Sequence, residues 1–423
     1  MDSDNKHCLP FIHADYALHV PDQHSDDHVS SKMVVLRNLA LKKVPLYVRT
    51  YASSATFQTL PYKLHKLDAA PELEITVSRD EGLEYYRQMQ LIRQLENIAG
   101  NLYRQQAIRG FCHLSTGQEA CAVGVRASMT AEDAAITSYR CHGWTLLCGS
   151  TPEAVIGELV GKISGNVYGK GGSMHMYEKN FFGGNGIVGA QISLGAGVAL
   201  AYKYNKQPNV CFTIYGDGAA NQGQFFECTN MAALWKLPCV FVCENNGYGM
   251  GTSVDRASAD KNFYKRGDFV PGIWVDAMDV ISVKEAARFA KDYCIAGNGP
   301  IVLELATYRF VGHSVSDAGT SYRTREELTS ARKTKDPIHN FRDRLIAAHL
   351  AKESDFGDID KEVKKTLSNA VETAMASSVL PPEALYADLY ANTEPQRIRG
   401  CTADEIVVQP HVSTDEIISK MTN

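Results

Sequence analysis

The stretch Val210-Cys211-Phe212-Thr213-Ile214-Tyr215-Gly216-Asp217-Gly218 is followed, one helix-length later, by Cys239-Val240-Phe241-Val242-Cys243-Glu244-Asn245-Asn246-Gly247-Tyr248-Gly249. Each begins as a continuous apolar run and ends in glycines and oxygen-bearing side chains. Continuous rather than alternating apolar runs are what strands covered on both faces require. Between them, Asn221 to Trp235 carries helical spacing, which predicts a strand–helix–strand unit. Both C-terminal strand ends then lie on one sheet edge, where open α/β sheets place their ligands. Parallel neighbours sit about 4.8 Å apart. Asp217 and Asn246 can therefore offer a carboxylate oxygen and an amide oxygen to one small cation. Mg2+ commonly takes one or two protein oxygens and fills its shell with phosphate and water. Gly216, Gly218 and Ala219 keep bulk away, so a diphosphate can reach the N-terminus of the following helix.

The pattern extends outward from this unit. Ile301-Val302-Leu303-Glu304-Leu305 reads as a third buried strand, and Ile192 to Tyr204 as a helix of small residues. Together they predict an α/β fold, a mainly parallel sheet with helices on both faces. Gly195-Ala196-Gly197 resembles a dinucleotide fingerprint, but no strand precedes it, and its glycines suit close helix packing better. Glycine is dense between Gly161 and Gly197, which suits tight turns and close approach to a ligand. Ser78 and Glu81 have capping-box spacing ahead of a helical stripe. Another helix start follows His113 at Thr116-Gly117-Gln118-Glu119. Ile359, Val363, Leu367 and Val371 form the stripe of an amphipathic helix.

The charge balance is 43 basic against 48 acidic side chains over 423 residues, a net of −5. Such a chain has no cationic excess to attract nucleic acid or an anionic membrane. No apolar run approaches the roughly 18 residues a membrane span needs. The eleven cysteines lack CxxC pairs and read as reduced thiols. Residues 1–32 are acidic and histidine-rich without periodicity, an expected flexible extension. From Met33 to Leu67 acidic residues vanish while Arg37, Lys42, Lys43 and Arg49 accumulate, so 33–60 reads as a mitochondrial transit peptide. The expected folded domain is 75–400, starting near Ile75, with a loosely ordered tail over 401–423.

From about Ser78 to Arg399 the chain resembles the E1 α subunits of pyruvate dehydrogenases, within the thiamine-diphosphate-dependent 2-oxo acid dehydrogenase family. The resemblance is carried by Arg109 to Leu114, Gly169 to Met176, Gly184 to Ala190, Tyr215 to Gln224, Met231 to Pro238 and Tyr322 to Glu327. Branched-chain relatives typically carry Glu at the position of Asp217. The resemblance implies a thiamine-diphosphate-binding fold in which Asp217, Asn246 and the Tyr248 carbonyl hold Mg2+. Gly218, Ala219, Tyr139 and Arg140 would contact the diphosphate side, while Gly186 and Val188 line the pocket against aminopyrimidine and substrate. His113 would face pyruvate and His313 the diphosphate at the channel mouth, two imidazoles titrating near neutral pH. Val311, Ala318 and Gly247 depart from the usual pattern, Gly247 standing where a basic residue is common.

The resemblance further implies a mitochondrial matrix enzyme working as an α2β2 heterotetramer with an E1 β subunit. That subunit would supply the glutamate needed to activate the cofactor. The acetyl group would pass to the lipoyl domain of an E2 acyltransferase. Ser253, Ser314 and Ser321 match positions phosphorylated by a dedicated kinase, which implies a matching phosphatase. Phosphate beside an anionic cofactor would disorder the loop through its added negative charge.

Overall fold

A computed structural model describes residues 51–389, 395–400, 402, 404–409 and 412–421. The acidic extension 1–32 and the basic segment as far as residue 50 lie outside the described residues. In chain order the strands are β1 (Ser54–Gln58), β2 (Lys63–His65), β3 (Glu74–Ser78), β4 (Ala134–Ile136), β5 (Cys211–Gly216), β6 (Cys239–Asn245), β7 (Tyr248–Gly249), β8 (Thr252–Ser253), β9 (Gly272–Asp276), β10 (Ile301–Ala306), β11 (Gln396–Arg399) and β12 (Ile406–Gln409). The helices are α1 (Arg79–Arg104), α2 (Glu119–Ser128), α3 (His142–Leu147), α4 (Pro152–Leu159), α5 (Ala190–Tyr204), α6 (Gly223–Leu234), α7 (Val254–Ala257), α8 (Val280–Ile295), α9 (Arg325–Lys335), α10 (Pro337–Ala347), α11 (Glu353–Ala376) and α12 (Thr414–Met421).

Six strands form the main sheet in the order β2-β9-β10-β6-β5-β4. All neighbours are parallel except β2, which runs antiparallel along the β9 edge. The apolar runs of β5 and β6 serve two cores at once. Phe212, Ile214, Val240 and Val242 pack with Met89 of α1 and Val123 of α2. Cys211, Tyr215, Phe241 and Cys243 face the other way, toward Ile192 of α5 and Phe225 of α6. Both faces are thus covered, as the unbroken apolar pattern demands. α5 lies so close on β5 that a Cβ at Gly195 would sit 2.0 Å from Thr213 Oγ1. That glycine serves packing, as read from the sequence.

The capping box at the start of α1 is present: Glu81 N donates to Ser78 Oγ at 3.2 Å, and Ser78 N to the Glu81 carboxylate at 3.0 Å. Order begins earlier than Ile75, however. Residues 54–58, inside the 33–60 segment assigned to targeting, form β1 and pair antiparallel with β3. The basic residues of the leader reading, Arg37 to Arg49, lie outside the described residues, so only the far end of the 33–60 segment is seen to be ordered. At the other end the 401–423 stretch includes an anchored helix. Lys170 Nζ donates to Thr414 Oγ1 at 2.6 Å and Tyr168 OH to Asp415 at 2.7 Å. No described helix is long and apolar enough to cross a membrane, and the nine described cysteines are free thiols.

Part of the glycine-dense segment wraps a side chain of the protein itself. The fully buried Glu158 accepts from Val167 N and Gly169 N through one oxygen, at 2.9 and 2.8 Å. Its other oxygen accepts from Gly171 N and Gly172 N, at 2.7 and 3.0 Å. The expectation of ligand contact is corrected there: the backbone closes around an internal anion.

Candidate active site

Gly216 of β5 stands opposite Glu244 of β6 in the parallel ladder. Asp217 and Asn246 therefore leave two adjacent strand tips, and both are buried, at 3% and 8% exposure. They flank a cavity of about 300 Å³ whose walls include Tyr139, Arg140, Gly218, Tyr248, Arg309 and His313. Ala219 and Val188 also line it, Val188 half-exposed. Gly186 does not: a Cβ there would meet His175 Nε2 at 3.3 Å.

The oxygens expected to hold a metal share one locale. Asn246 Oδ1 accepts from Tyr248 N at 3.3 Å, and one Arg309 nitrogen donates both to it and to the Tyr248 carbonyl, each at 3.4 Å. Burial, the dominant cause, pushes the Asp217 carboxylic acid up to about 6, and no ion pair to it exists among the described residues. Nor do three or more His, Cys, Asp or Glu side chains gather there at a metal position. One carboxylate, one amide oxygen and one carbonyl do not suit zinc, but they suit a hard cation that brings phosphate and water with it. The residues present thus fit Mg2+ with a diphosphate. Gly247 holds the turn beside Asn246 at φ +86°, a left-handed conformation that favours glycine over the usual basic residue.

The diphosphate end differs from expectation in one respect. A 3-10 turn over Ala219–Asn221 intervenes before α6 starts at Gly223, so the Asn221–Trp235 stretch is not a single helix. Arg140 supplies cationic charge to the cavity while tying two loops together. Its guanidinium donates to the carbonyls of Leu114 and His313, the latter at 3.1 Å.

His113, His313 and Tyr139 form a ring cluster, with His113 4.3 Å from Tyr139 and 5.1 Å from His313 between centroids. The Nδ1 atoms of both imidazoles are buried without a hydrogen-bond partner. Burial, followed by the charge of Arg140, lowers His113 to about 3 and His313 to about 4. This corrects the expectation that both titrate near neutral pH. Burial and the charges of Arg140 and Arg309 keep them neutral; His313 lines the cavity, and His113 contacts Tyr139 and His313 without lining it.

Among the cavity residues that escaped the motif reading, three bear polar chemistry of note. Arg309, fully buried, reaches in from just beyond β10 and bears no spacing signal. Glu244 lies within the quoted strand end, where burial raises it to about 7. Gln191 lines the wall with its Oε1 buried and unpartnered. Only the apolar register of β6, which points Glu244 inward, could have found one of them.

The segment after β10 forms a strapped loop. Asp317 accepts from His313 N at 2.7 Å and Gly319 N at 2.8 Å. Arg323 donates to the carbonyls of Arg309 and Val311, each at 2.6 Å. Ser314 is buried within it, its Oγ 2.9 Å from that of Ser316, whereas Ser321 is exposed and Ser253 half-buried.

Comparison with known proteins agrees with this geometry. Residues 87–383 match the model of the dehydrogenase E1 component family. A probable mitochondrial pyruvate dehydrogenase E1 subunit alpha of Caenorhabditis elegans is 60% identical over 374 residues, 88% of this chain and 94% of the relative. The type I mitochondrial counterpart of Ascaris suum is 56% identical over 88% of the chain and 94% of its own length. The somatic mitochondrial form of Sus scrofa is 53% identical over 86% and 95%. The chain belongs to the dehydrogenase E1 component family, and within it is similar to the pyruvate dehydrogenase α subunits.

Proposed function

We propose that this chain is the α subunit of a mitochondrial pyruvate dehydrogenase E1, working with thiamine diphosphate and Mg2+. It would decarboxylate pyruvate and pass the acetyl group to a lipoyl group on an E2 acyltransferase. The observation that carries this is the pair of buried strand tips, where Asp217 and Asn246 present oxygens and the carboxylate makes no ion pair among the described residues. Asp217, Asn246 Oδ1 and the Tyr248 carbonyl would hold the metal, Arg309 withdrawing from the last two. Arg140 would supply positive charge toward the diphosphate. Thiamine diphosphate, when bound, supplies the electron sink for losing CO2 that amino acid side chains lack. His113 and His313, kept neutral, can hold or accept a proton at Nδ1, and the Tyr139 ring fixes their orientation.

A β partner is supported by apolar surface: Leu194, Leu200 and Tyr204 of α5 and Phe226, Met231 and Leu234 of α6 are exposed. Continuous patches of that kind mark docking surfaces. Glu244 is hydrogen-bonded by Gln118 and so is committed to the metal end. By resemblance to the family, the glutamate that activates the cofactor is expected from the β subunit. Co-expression with candidate β chains tests the assignment. Pyruvate-dependent dye reduction should require both thiamine diphosphate and Mg2+ and should exceed turnover of 3-methyl-2-oxobutanoate. A preference for the branched substrate would point to another 2-oxo acid dehydrogenase.

Regulation by a kinase and phosphatase at Ser253, Ser314 and Ser321 is part of the same proposal. A phosphate brings about −1.5 to −2 charges, and the buried Ser314 has no room for it unless the loop opens. Ser314→Glu should abolish turnover in the α–β complex. Undiminished turnover would contradict it.

A further inference from the structure

Gln118 sits between the metal-ligating amide and a buried carboxylate. It is 2% exposed, and its two neighbours, Asn246 and Glu244, are 8% and 9% exposed. Asn246 Nδ2 donates to Gln118 Oε1 at 3.2 Å, and Gln118 Nε2 donates to Glu244 Oε2 at 3.3 Å. The Trp144 side chain also hydrogen-bonds Glu244. An amide can present either its oxygen or its NH2 to a neighbour, whereas an ionised carboxylate can only accept. With Glu244 accepting, as it is placed, the row runs in one direction, and the Tyr248 backbone N–H, which can only donate, meets the same Asn246 oxygen. Glu244 draws the NH2 of Gln118, whose oxygen then draws the NH2 of Asn246, and Asn246 is left with its oxygen toward the site.

We propose that Glu244 and Gln118 are positioning residues that set which face of the Asn246 amide meets the divalent cation. This rests on the metal–diphosphate reading above and adds a determinant outside the ligand set. Reversing the Asn246 amide would aim two N–H donors at a cation, so the row protects the site from its own ligand's ambiguity. Partners of this kind, one step behind a ligand, typically govern metal affinity by about 10–100-fold.

The test uses the α subunit co-purified with its β partner, titrated with Mn2+ in saturating thiamine diphosphate and followed by electron paramagnetic resonance. Glu244→Gln retains shape but lets either end of the new amide face Gln118. It should raise the half-saturating Mn2+ concentration about tenfold or more. Gln118→Met, which keeps packing but removes both hydrogen bonds, should do the same. The double variant Gln118→Glu/Glu244→Gln restores a one-way row, because the carboxylate moved to the middle position accepts from both flanking amides. It should recover most of the lost affinity. Wild-type affinity in Glu244→Gln, or a double variant no better than that single one, would overturn the proposal, since lost packing alone predicts no rescue. Failure of the wild-type protein to take up Mn2+ would instead overturn the functional reading beneath it.

Discussion

Glu158 and Asp217 are both buried carboxylates set in glycine-rich backbone, and the fold treats them in opposite ways. Glu158 receives four backbone N–H donors from the 167–172 turn. Glu96 is treated similarly: burial opposes its charge, but His142 at 2.8 Å and the Ser115 backbone and hydroxyl hold it below the usual carboxylate range. Asp217 lies at the tip of β5 without a cation, and burial lifts it to about 6. Native proteins leave few buried polar groups unsatisfied, and the exceptions call for a reason. Here a carboxylate that has backbone hydrogen bonds but no ion pair among the described residues faces a cavity, and His313, whose Nδ1 has no partner, lines the same cavity. Scaffold charges are closed off by the chain itself, whereas site charges stay open for something the chain does not contain.

Substituting the closed carboxylate should have the largest effect on stability. Glu158→Ala would leave four buried N–H groups without an acceptor and should cost about 3–5 kcal/mol, read as a depressed melting temperature or failure to accumulate. A mild loss would mean that water satisfies the turn and that the contrast is overstated.

Acid should have an intermediate effect. The two site imidazoles resist protonation in the fold, from an ordinary 6.5 down to about 3 and 4. Unfolded chains take up those protons first, so stability is complete above about pH 6.5 and declines as pH falls toward 4. The melting temperature of the apoprotein should follow that course. His113→Gln/His313→Gln should flatten it, and an unchanged slope would place the acid sensitivity elsewhere.

The open carboxylate should matter least to the fold. Asp217→Asn removes a charge whose burial the fold opposes, so stability at neutral pH should be unchanged or higher, never much lower. Metal-dependent cofactor binding, followed by quenching of tryptophan fluorescence, should nevertheless be lost. A large loss of stability would show Asp217 to be scaffold like Glu158.

The β5–α6–β6 unit, its parallel pairing and the coming together of Asp217 and Asn246 were legible because strand burial, period and sheet-edge geometry are local properties of the sequence. The capping box at Ser78 and the packing role of Gly195 were legible for the same reason. Short edge strands were not: β4 has three residues, and β1 lies at the end of the stretch read as a targeting leader. Glu158 was invisible because its four donors come from residues nine to fourteen positions away around a turn that no motif describes. The protonation of His113 and His313 was misjudged because their burial, and the charges of Arg140 and Arg309 beside them, arise from loops far apart in the chain. Arg309 itself carries no periodic signal. Its role follows from the path taken after β10.

The central claim is that Asp217, Asn246 and the Tyr248 carbonyl grip one divalent ion together with thiamine diphosphate. Anomalous diffraction from the α–β complex grown with Mn2+ and thiamine diphosphate tests it most directly. The account expects a single strong peak within about 2.0–2.3 Å of all three oxygens, with Arg309 drawn back from Asn246 and Tyr248. A peak elsewhere, or Arg309 still bridging those two oxygens with the cofactor bound, would contradict it.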